Sequence, residues 1–516
     1  MPRVKIQDTG QIIECKKGEC LLEALVSNHI FIEHPCNGKG NCKKCEVSII
    51  EHNKKTKVLS CLIKIDHDME IALVKKEKKY RIMTKGIASE LERDPFLKGY
   101  GVAVDLGTTT IVCSLIDLSS GKEIGSSSRI NAQRIYGMDV LTRITYEYEN
   151  PKTGIERIKK TTVDCLNDML QEVCNNAGIL LEEIKEISVA ANCTMMHMLL
   201  GVDAGSLGKF PYRPQFLKGK KVQALSIGLG KSEDTVLYCL PSVSAFIGAD
   251  IVAGVYACRL KEQKGNTLFL DIGTNGEMVL FTKGRMYACS CAAGPALEGM
   301  NITSGMQAQD GAVEKVRLEK DRIKIKTIGD CQAEGICGSG ILSIIGELLR
   351  TGFIKKSGVF LKKDGLDPKD YKYHLLRENG KKREFILQEE PEIIVTQQDI
   401  RQVQLAKGAL LSGFTILLKE AQIKTEDLDK ILIAGQFGAH LSRKLLTETG
   451  ILPKETEKNI IYVGNTSKTG AIMALLSQKA KQEMEDLAWN IDYIELSETS
   501  QYERIFAQSL IFPDTK

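Results

Sequence analysis

Two stretches of this chain repeat one design, and no other feature restricts its fold so strongly. GVAVDLGTTTIVCSLIDLSSGK (101–122) and NTLFLDIGTNGEMVLFTKGR (266–285) each run apolar strand, aspartate, Gly-Thr turn, apolar strand. Aligning Asp105 with Asp271 pairs Leu106 with Ile272, Gly107 with Gly273 and Thr108 with Thr274. Such an internal repeat predicts one copy of a supersecondary unit in each half of a large domain. Backbone N–H groups in Gly-containing turns can point at phosphate oxygens and form an anion-binding nest. Hydroxyls and amides of Thr108, Thr109, Thr110, Thr274 and Asn275, with the backbone of Gly107, Gly273 and Gly276, add donors to the same oxygens. Asp105 and Asp271 end their strands where a carboxylate can hold Mg²⁺ through water, the habit of that ion. One D-x-G-T hairpin is a common β-turn; two in register predict a nucleotide triphosphate held between them.

Four cysteines near the N-terminus carry a second chemistry. Cys36, Cys42, Cys45 and Cys61 are spaced C-x5-C-x2-C-x15-C, three of them within the loop PCNGKGNCKKC (35–45). The spacing differs by one residue from the plant-type C-x4-C-x2-C run and predicts a [2Fe–2S] cluster held by four thiolates. Gly38 and Gly40 suit a backbone that wraps closely around inorganic sulfide. Zinc is the alternative, since C-x2-C is half of a zinc ribbon, but ribbons pair two short knuckles and here one loop supplies three ligands. Around this loop the chain alternates strand and helix. RVKIQDTGQIIE reads as a hairpin turning at Thr9-Gly10, CLLEALVSNHI as a helix and KCEVSII as a strand. That order fits a β-grasp ferredoxin over residues 1–74, followed by a charged linker over 75–99.

Bulk properties restrict the function classes. The 516 residues, 43% hydrophobic and 26% charged, are ample for a buried core. A net charge of +4 with scattered Lys and Arg gives no case for nucleic acid. Sixteen cysteines in a chain this long form no small-protein disulfide framework. No signal-like segment precedes Val4 and no apolar run reaches the ~18 residues of a membrane span, so the expectation is a cytoplasmic protein in a reducing, oxygen-poor cell. Cys15, Cys20, Cys113, Cys165, Cys174, Cys193, Cys239, Cys258, Cys289, Cys291, Cys331 and Cys337 read as small buried hydrophobes.

Further segments accompany the repeated hairpin. KKTTVDCLNDMLQEVCNNAG (159–178) and LAKGALLSGFTILLKEAQ (405–422) read as helices, the charged stretch 354–390 as a surface β-hairpin, and DLAWNIDYIELSETSQYERIF as a closing strand and helix. GICGSGILSII (335–345), with Gly338, Ser339 and Gly340, and ILIAGQFGAHL (431–441), with Gly435, Gln436, Phe437 and Gly438, are Gly-rich turns open to close ligand approach. SAFIGADIVAGVYA (244–257) and GNTSKTGAIMALL (464–476) read as small-residue helices suited to packing at a hinge. In this order the set resembles the sugar-kinase, actin and DnaK-chaperone superfamily, with phosphate-1 at DLGTTT, connect-1 at 244–257, phosphate-2 at DIGTNGE, adenosine at AGQFG and connect-2 at GNTSKTGA. The resemblance implies an α/β ATPase domain over 100–516 with two ribonuclease-H-like lobes and a cleft between them. No GxGxxG follows a first strand and no GxxxxGK[ST] occurs, which excludes Rossmann and P-loop sites.

The two modules together, with ANCTMMHMLLG (191–201), SCAAGPALEGMNITSGM (290–306) and TQQDIRQVQLAKGA (396–409), resemble the ATP-dependent reductive activators of corrinoid proteins over almost the whole chain. That implies ATP-driven reduction of Co(II) to Co(I) on a corrinoid methyltransferase partner, with electrons from a low-potential donor such as ferredoxin, and neither membrane nor nucleic acid involved. Long members carry a middle domain linked to dimerisation. Only about 25 residues separate the two modules here, so the expectation is that this domain is missing and a homodimer is in question. As catalytic candidates we take Asp105, Asp271, Glu277 and Asp250. Glu277 can orient Mg²⁺ or the attacking water. Asp250 falls near the general base of sugar kinases, one residue out of step, with Ala249 in the equivalent position. His197 and Met195, Met196 and Met198 read as core, Asn192 and Thr194 as contacts to phosphate or partner, and His34, His440 and Trp489 as unassigned. A redox-switched small-molecule kinase and a chaperone-like ATPase with an iron–sulfur sensor are the alternatives. Activators of radical dehydratases share the ATPase fold but hold a [4Fe–4S] cluster between subunits, unlike four ligands in one small domain.

Overall fold

The computed structural model describes residues 1–28, 30, 32, 38, 40, 44–51, 54–73, 91–94, 98–319, 322–380, 382–435 and 441–514. In the N-terminal part, Arg3–Ile6 and Ile12–Glu14 form the expected hairpin, with Gly10 at φ 71° in its turn. The sheet runs in the order Ile12–Glu14, Arg3–Ile6, Met69–Leu73, Glu46–Glu51, Lys54–Leu59. Arg3–Ile6 lies parallel to Met69–Leu73 and the other pairs are antiparallel, a mixed sheet of β-grasp type. The alternation of RVKI turns Val4 and Ile6 inward against Leu21, Leu22 and Leu25 of the helix Leu21–Ser27. Cys45 closes that core from the cluster side.

The repeat is realised in three dimensions. In the first lobe the strands lie in the order Lys122–Ile130, Thr110–Asp117, Tyr100–Leu106, Ile184–Ala191, Val236–Cys239, with Lys220–Gln223 at the edge. In the second lobe the order is Arg285–Cys291, Gly276–Thr282, Asn266–Ile272, Leu428–Ala434, Ile460–Gly464, extended by Ile491–Tyr493. Leaving out Lys220–Gln223 and Ile491–Tyr493, both count as 3-2-1-4-5 by chain order, three antiparallel strands followed by two parallel ones. The register is equivalent as well: Asp105 pairs with Ala190 and Asp271 with Ala434. Each first strand is apolar on both faces because helices cover both, which is why it reads as a continuous run rather than an alternation.

Helices Gly154–Ala177 and Gln397–Glu420 cover the outer faces of the two lobes, and helices Ala249–Ala257 and Thr466–Leu476 pack together between the sheets. Three expectations change in detail. The connect-1 helix begins at Ala249 rather than Ser244, because the Ser244 hydroxyl accepts hydrogen bonds from Phe246 and Ile247 N–H and holds those residues in a turn. The stretch 354–390 is no bare surface hairpin: Leu376–Asn379 and Lys382–Gln388 continue into Ile393–Thr396, and Phe353, Phe360 and Phe385 are buried in the second-lobe core. Among the cysteines read as buried, Cys331 is exposed. Among the described residues, no helix is long and apolar enough to cross a membrane.

Candidate functional site

Each hairpin turn is closed from its glycine, though over different spans: Gly107 N–H bonds Thr110 O at 2.9 Å, three residues on, and Gly273 N–H bonds Asn275 O at 2.8 Å, two residues on. They face one cleft of about 680 Å³, lined by Gly107, Thr108, Thr109 and Thr110 from one side and Gly273, Thr274 and Asn275 from the other. That volume lies within the range of small-ligand sites. Asp105, Asp250, Asp271 and Glu277 also line it, as do Gly338, Ser339 and Gly435. Gly276 and Gly340 do not. A Cβ at Gly276 would lie 2.2 Å from Leu410 Cδ2, and one at Gly340 would lie 1.9 Å from Val313 O, so these glycines serve helix–strand packing. Gln436, Phe437, Gly438, His34 and His440 lie outside the described residues.

Asp105, Asp250, Asp271 and Glu277 are half-buried carboxylates among the acids lining the cleft, and desolvation is the largest influence on each. It pushes Asp271 up to about 7, with Asp105 adding repulsion, and Asp250 up to about 7, with Asp271 and Asp105 adding theirs. Glu277 is pushed well above its ordinary range by burial and then by Asp250 and Asp271. Asp105 is raised too, although Ser467 Oγ and Asn465 Nδ2 donate to its two oxygens at 2.7 and 2.8 Å. A concentration of acids whose charges oppose one another fits a divalent cation or the proton-handling face of a phosphate site.

Residues that sequence reasoning missed hold the hairpins in place. Arg143, fully buried, donates through Nη2 to Thr108 O at 2.7 Å, through Nε to Gly137 O at 2.9 Å and through Nη1 to Gln133 Oε1 at 3.0 Å. Asn131 Nδ2 bonds Gly107 O at 2.8 Å, and Asn192, the N-cap of helix Cys193–Leu200, donates to Thr108 Oγ1 at 2.9 Å. Asn192 thus meets the phosphate turn, and Thr194 lines the cleft. Glu298 accepts from Thr274 Oγ1 at 2.5 Å and from Thr109 Oγ1 at 3.5 Å. The hairpin contacts of Arg143 and Glu298 are remote in sequence, 35 residues for Arg143 with Thr108 and 24 and 189 for Glu298 with Thr274 and Thr109, so no local pattern marks them. His197 is core: Nδ1 faces Cys193 O at 2.7 Å, Nε2 accepts from Gln215 N–H at 3.0 Å, and the ring stacks on Phe216. Met195, Met196 and Met198 are buried, and Trp489 is exposed.

Of the four cysteines, Cys45 and Cys61 fall within the described residues, and their sulfurs converge to 3.2 Å. Gly38 and Gly40 adopt φ 77° and 74°, which residues with a Cβ rarely tolerate, and a Cβ at Gly38 would face Cys61. Two thiols meeting beside left-handed glycines fit a thiolate-held cluster. Cys36 and Cys42 lie outside the described residues.

Three family models tile the sequence in order: the 2Fe-2S iron-sulfur cluster binding domain over 4–66, the RACo middle region over 100–263, and the C-terminal domain of RACo, the ASKHA domain, over 265–516. The chain belongs to the RACo family. A solved structure of a reductive activator for corrinoid, iron-sulfur protein is 28% identical, covers 100% of this chain and 99% of its own, and superposes with a TM-score of 0.73. The corrinoid activation enzyme RamQ of Eubacterium limosum is 29% identical over 93% of this chain and 94% of its own length. The Co(II) methylated amine-specific corrinoid protein reductase of Methanosarcina barkeri is 26% identical over 80% and 77%. As a RACo protein the chain is an enzyme with a 2Fe-2S domain and an ATP-binding ASKHA domain. The model of the RACo middle region begins at residue 100 and ends at residue 263. It coincides with the first lobe, whose Asp-Gly-Thr hairpin repeats that of the second and so read as part of one ATPase domain.

Proposed function

We propose that this RACo protein uses ATP to drive one-electron reduction of a corrinoid protein from Co(II) to Co(I), returning a methyltransferase partner to its active state. The observation that carries the reading is the joining, in one chain, of a two-hairpin nucleotide cleft to a converging thiol pair. Electron transfer alone is uphill, because the Co(II)/Co(I) couple lies below the range of ordinary ferredoxins and plant-type clusters sit near about −400 mV. Each ~59 mV of mismatch costs about tenfold in the equilibrium constant of a one-electron step. A [2Fe–2S] cluster on Cys36, Cys42, Cys45 and Cys61 would supply the single-electron chemistry.

The residues of the cleft have assignable tasks. Gly107, Thr108, Thr109, Thr110, Gly273, Thr274 and Asn275 offer N–H and hydroxyl donors to the phosphates, and Gly435 is available to the adenosine. Asp105 and Asp271 would hold Mg²⁺, which would supply counter-charge to the phosphates, and Glu277 would orient the attacking water. Nucleotide closes the two lobes about helices Ala249–Ala257 and Thr466–Leu476, and the closed form favours binding of the corrinoid protein and removal of a weak axial cobalt ligand. ATP can help only by such differential affinity for one state. A low-potential ferredoxin as donor, a homodimer, a cytoplasmic setting, and the division into 1–74, 75–99 and 100–516 belong to the same proposal. Asp250, in the cleft and raised to about 7, is the observation that favours the alternative of a small-molecule kinase.

Anaerobic absorbance of a Co(II) corrinoid methyl carrier with this protein and a strong reductant, with and without MgATP, tests the reading. The expected result is a Co(I) spectrum only when protein and MgATP are both present. Thr108→Ala and Asp271→Ala should abolish that reduction and leave the cluster's visible spectrum intact. No ATP effect with several carriers, together with ATP turnover on small alcohols or acids, would replace the reading with the kinase.

A further inference from the structure

Strand Arg285–Cys291 leaves the second lobe's sheet and enters a loop, residues 294–306, with contacts at two distant places. At its start Gly294 N–H bonds Thr274 O at 2.8 Å. Glu298 then receives one hydroxyl from each phosphate hairpin, Thr274 at 2.5 Å on Oε1 and Thr109 at 3.5 Å on Oε2. The loop next folds on itself without slack. A Cβ on Gly299 would lie 2.1 Å from Met306 O, and one on Gly305 would lie 2.2 Å from Gly299 O. These are backbone atoms, so neither side can yield alone. At the far end Lys44 Nζ donates to Gly305 O, joining the residue before Cys45 to a position 261 residues on. Asp399 Oδ1 fixes the middle of the loop through Thr303 N–H at 2.7 Å and Thr303 Oγ1 at 3.0 Å.

We infer that this loop reports the nucleotide state to the cluster domain, with Glu298 as the positioning residue that senses phosphate and Gly305 as the seat of the cluster-loop Lys44. The inference rests on the ATP reading above. A triphosphate entering between the hairpins competes for the hydroxyls that Glu298 holds, and its charge opposes the carboxylate. Glu298 must turn away, carrying Gly299. Because Gly299 is in backbone contact with Gly305 and Met306, the Gly305 carbonyl shifts and Lys44 leaves its seat. Nucleotide-free protein therefore keeps the cluster domain docked on the second lobe, and nucleotide-loaded protein frees it to meet a partner.

Acetylation footprinting of the full cluster-loaded chain, read by mass spectrometry, tests this through the reaction rate of Lys44. Binding of a non-hydrolysable MgATP analogue is followed by calorimetry in the same samples. The analogue should speed Lys44 modification about tenfold, the scale of losing one charge-assisted hydrogen bond. Glu298→Ala should react fast with or without analogue. Glu298→Gln, which keeps one carbonyl oxygen for one threonine, should fall between, and guards against a folding defect in the alanine variant. Equal Lys44 rates in wild-type protein that binds the analogue would overturn the coupling and leave the ATP reading standing, as would a full response in Glu298→Ala. Failure of the analogue to bind would overturn both.

Discussion

Arg143 and Glu147 lie one turn apart on helix Val140–Glu149, both buried, and neither is paired with an opposite charge in the interactions described above. Burial pushes the Arg143 guanidinium down to about 9, partly offset by Asp139, yet its Nη2 donates to Thr108 O in the turn, while Nε and Nη1 reach Gly137 O and Gln133 Oε1. Arg143→Met would leave Thr108 O and Gly137 O without these donors. It should cost about 2–4 kcal/mol in denaturant unfolding and weaken nucleotide binding in calorimetry. Glu147 Oε2 accepts from Ala204 N–H at 3.2 Å, while Oε1 is buried with no hydrogen-bond partner among the described residues. Burial foremost, with Asp203 adding repulsion, raises this carboxyl from 4.5 to about 7. The folded state therefore binds its proton more tightly than the unfolded chain, so the stability contribution is whole below pH 4.5 and is lost as pH rises to about 7. Glu147→Gln should accordingly gain about 1–3 kcal/mol over wild type at pH 8 compared with the difference at pH 4, measured by urea unfolding. Sequence could place Thr108 because a Gly-Thr turn after an apolar strand is a local signal. It could not place Arg143, whose contact with Thr108 spans 35 residues.

At the scale of elements, the paired hairpins were legible because strand, aspartate and turn lie within a dozen residues and occur twice. The boundary of the connect-1 helix was not, since SAFIG is as apolar as the helix that follows and only the Ser244 turn separates them. Small residues at 464–476 are a packing signal, and the reason is backbone contact. A Cβ on Gly470 would lie 2.4 Å from Ala253 O and 2.6 Å from Ala253 Cα. On the facing helix, a Cβ at Gly254 would meet Phe269 Cζ at 2.6 Å and Thr466 Oγ1 at 2.7 Å, side-chain atoms that can yield. Gly470→Ala should thus force helices Ala249–Ala257 and Thr466–Leu476 apart and cost about 1–3 kcal/mol, with Gly254→Ala costing less. If these helices are the hinge, Gly470→Ala should also slow ATP-dependent cobalt reduction more than it weakens nucleotide binding. Unfolding curves, calorimetry and the Co(I) absorbance assay separate the three quantities.

At the scale of the whole molecule, the N-terminal module has a core of its own, and so does the second lobe. The core of the first lobe reaches across to Phe269, Val279 and Phe281 of the second sheet through the two packed helices. The two-lobed plan was legible from the repeat. The seat of Lys44 on Gly305 was not, because nothing in composition or periodicity relates two loops 261 residues apart. The same architecture places Asp105, Asp250, Asp271 and Glu277 in one cleft that no Lys, Arg or His lines among the described residues. A triphosphate entering alone adds negative charge to four acids already raised by burial, whereas one entering with Mg²⁺ brings the counter-charge. A ligand that binds only the folded state stabilises by about 2.7 kcal/mol at a hundredfold excess over its Kd. MgATP at that excess should therefore raise the unfolding free energy by roughly 2–3 kcal/mol. The same ATP concentration with EDTA should give a small fraction of that rise. Asp271→Asn removes one of the opposing charges and one proposed Mg²⁺ anchor, so it should narrow the gap from both sides. Thermal unfolding of wild type and variant in the two conditions measures it, and equal stabilisation with and without Mg²⁺ in wild type would mean that these carboxylates do not hold the metal.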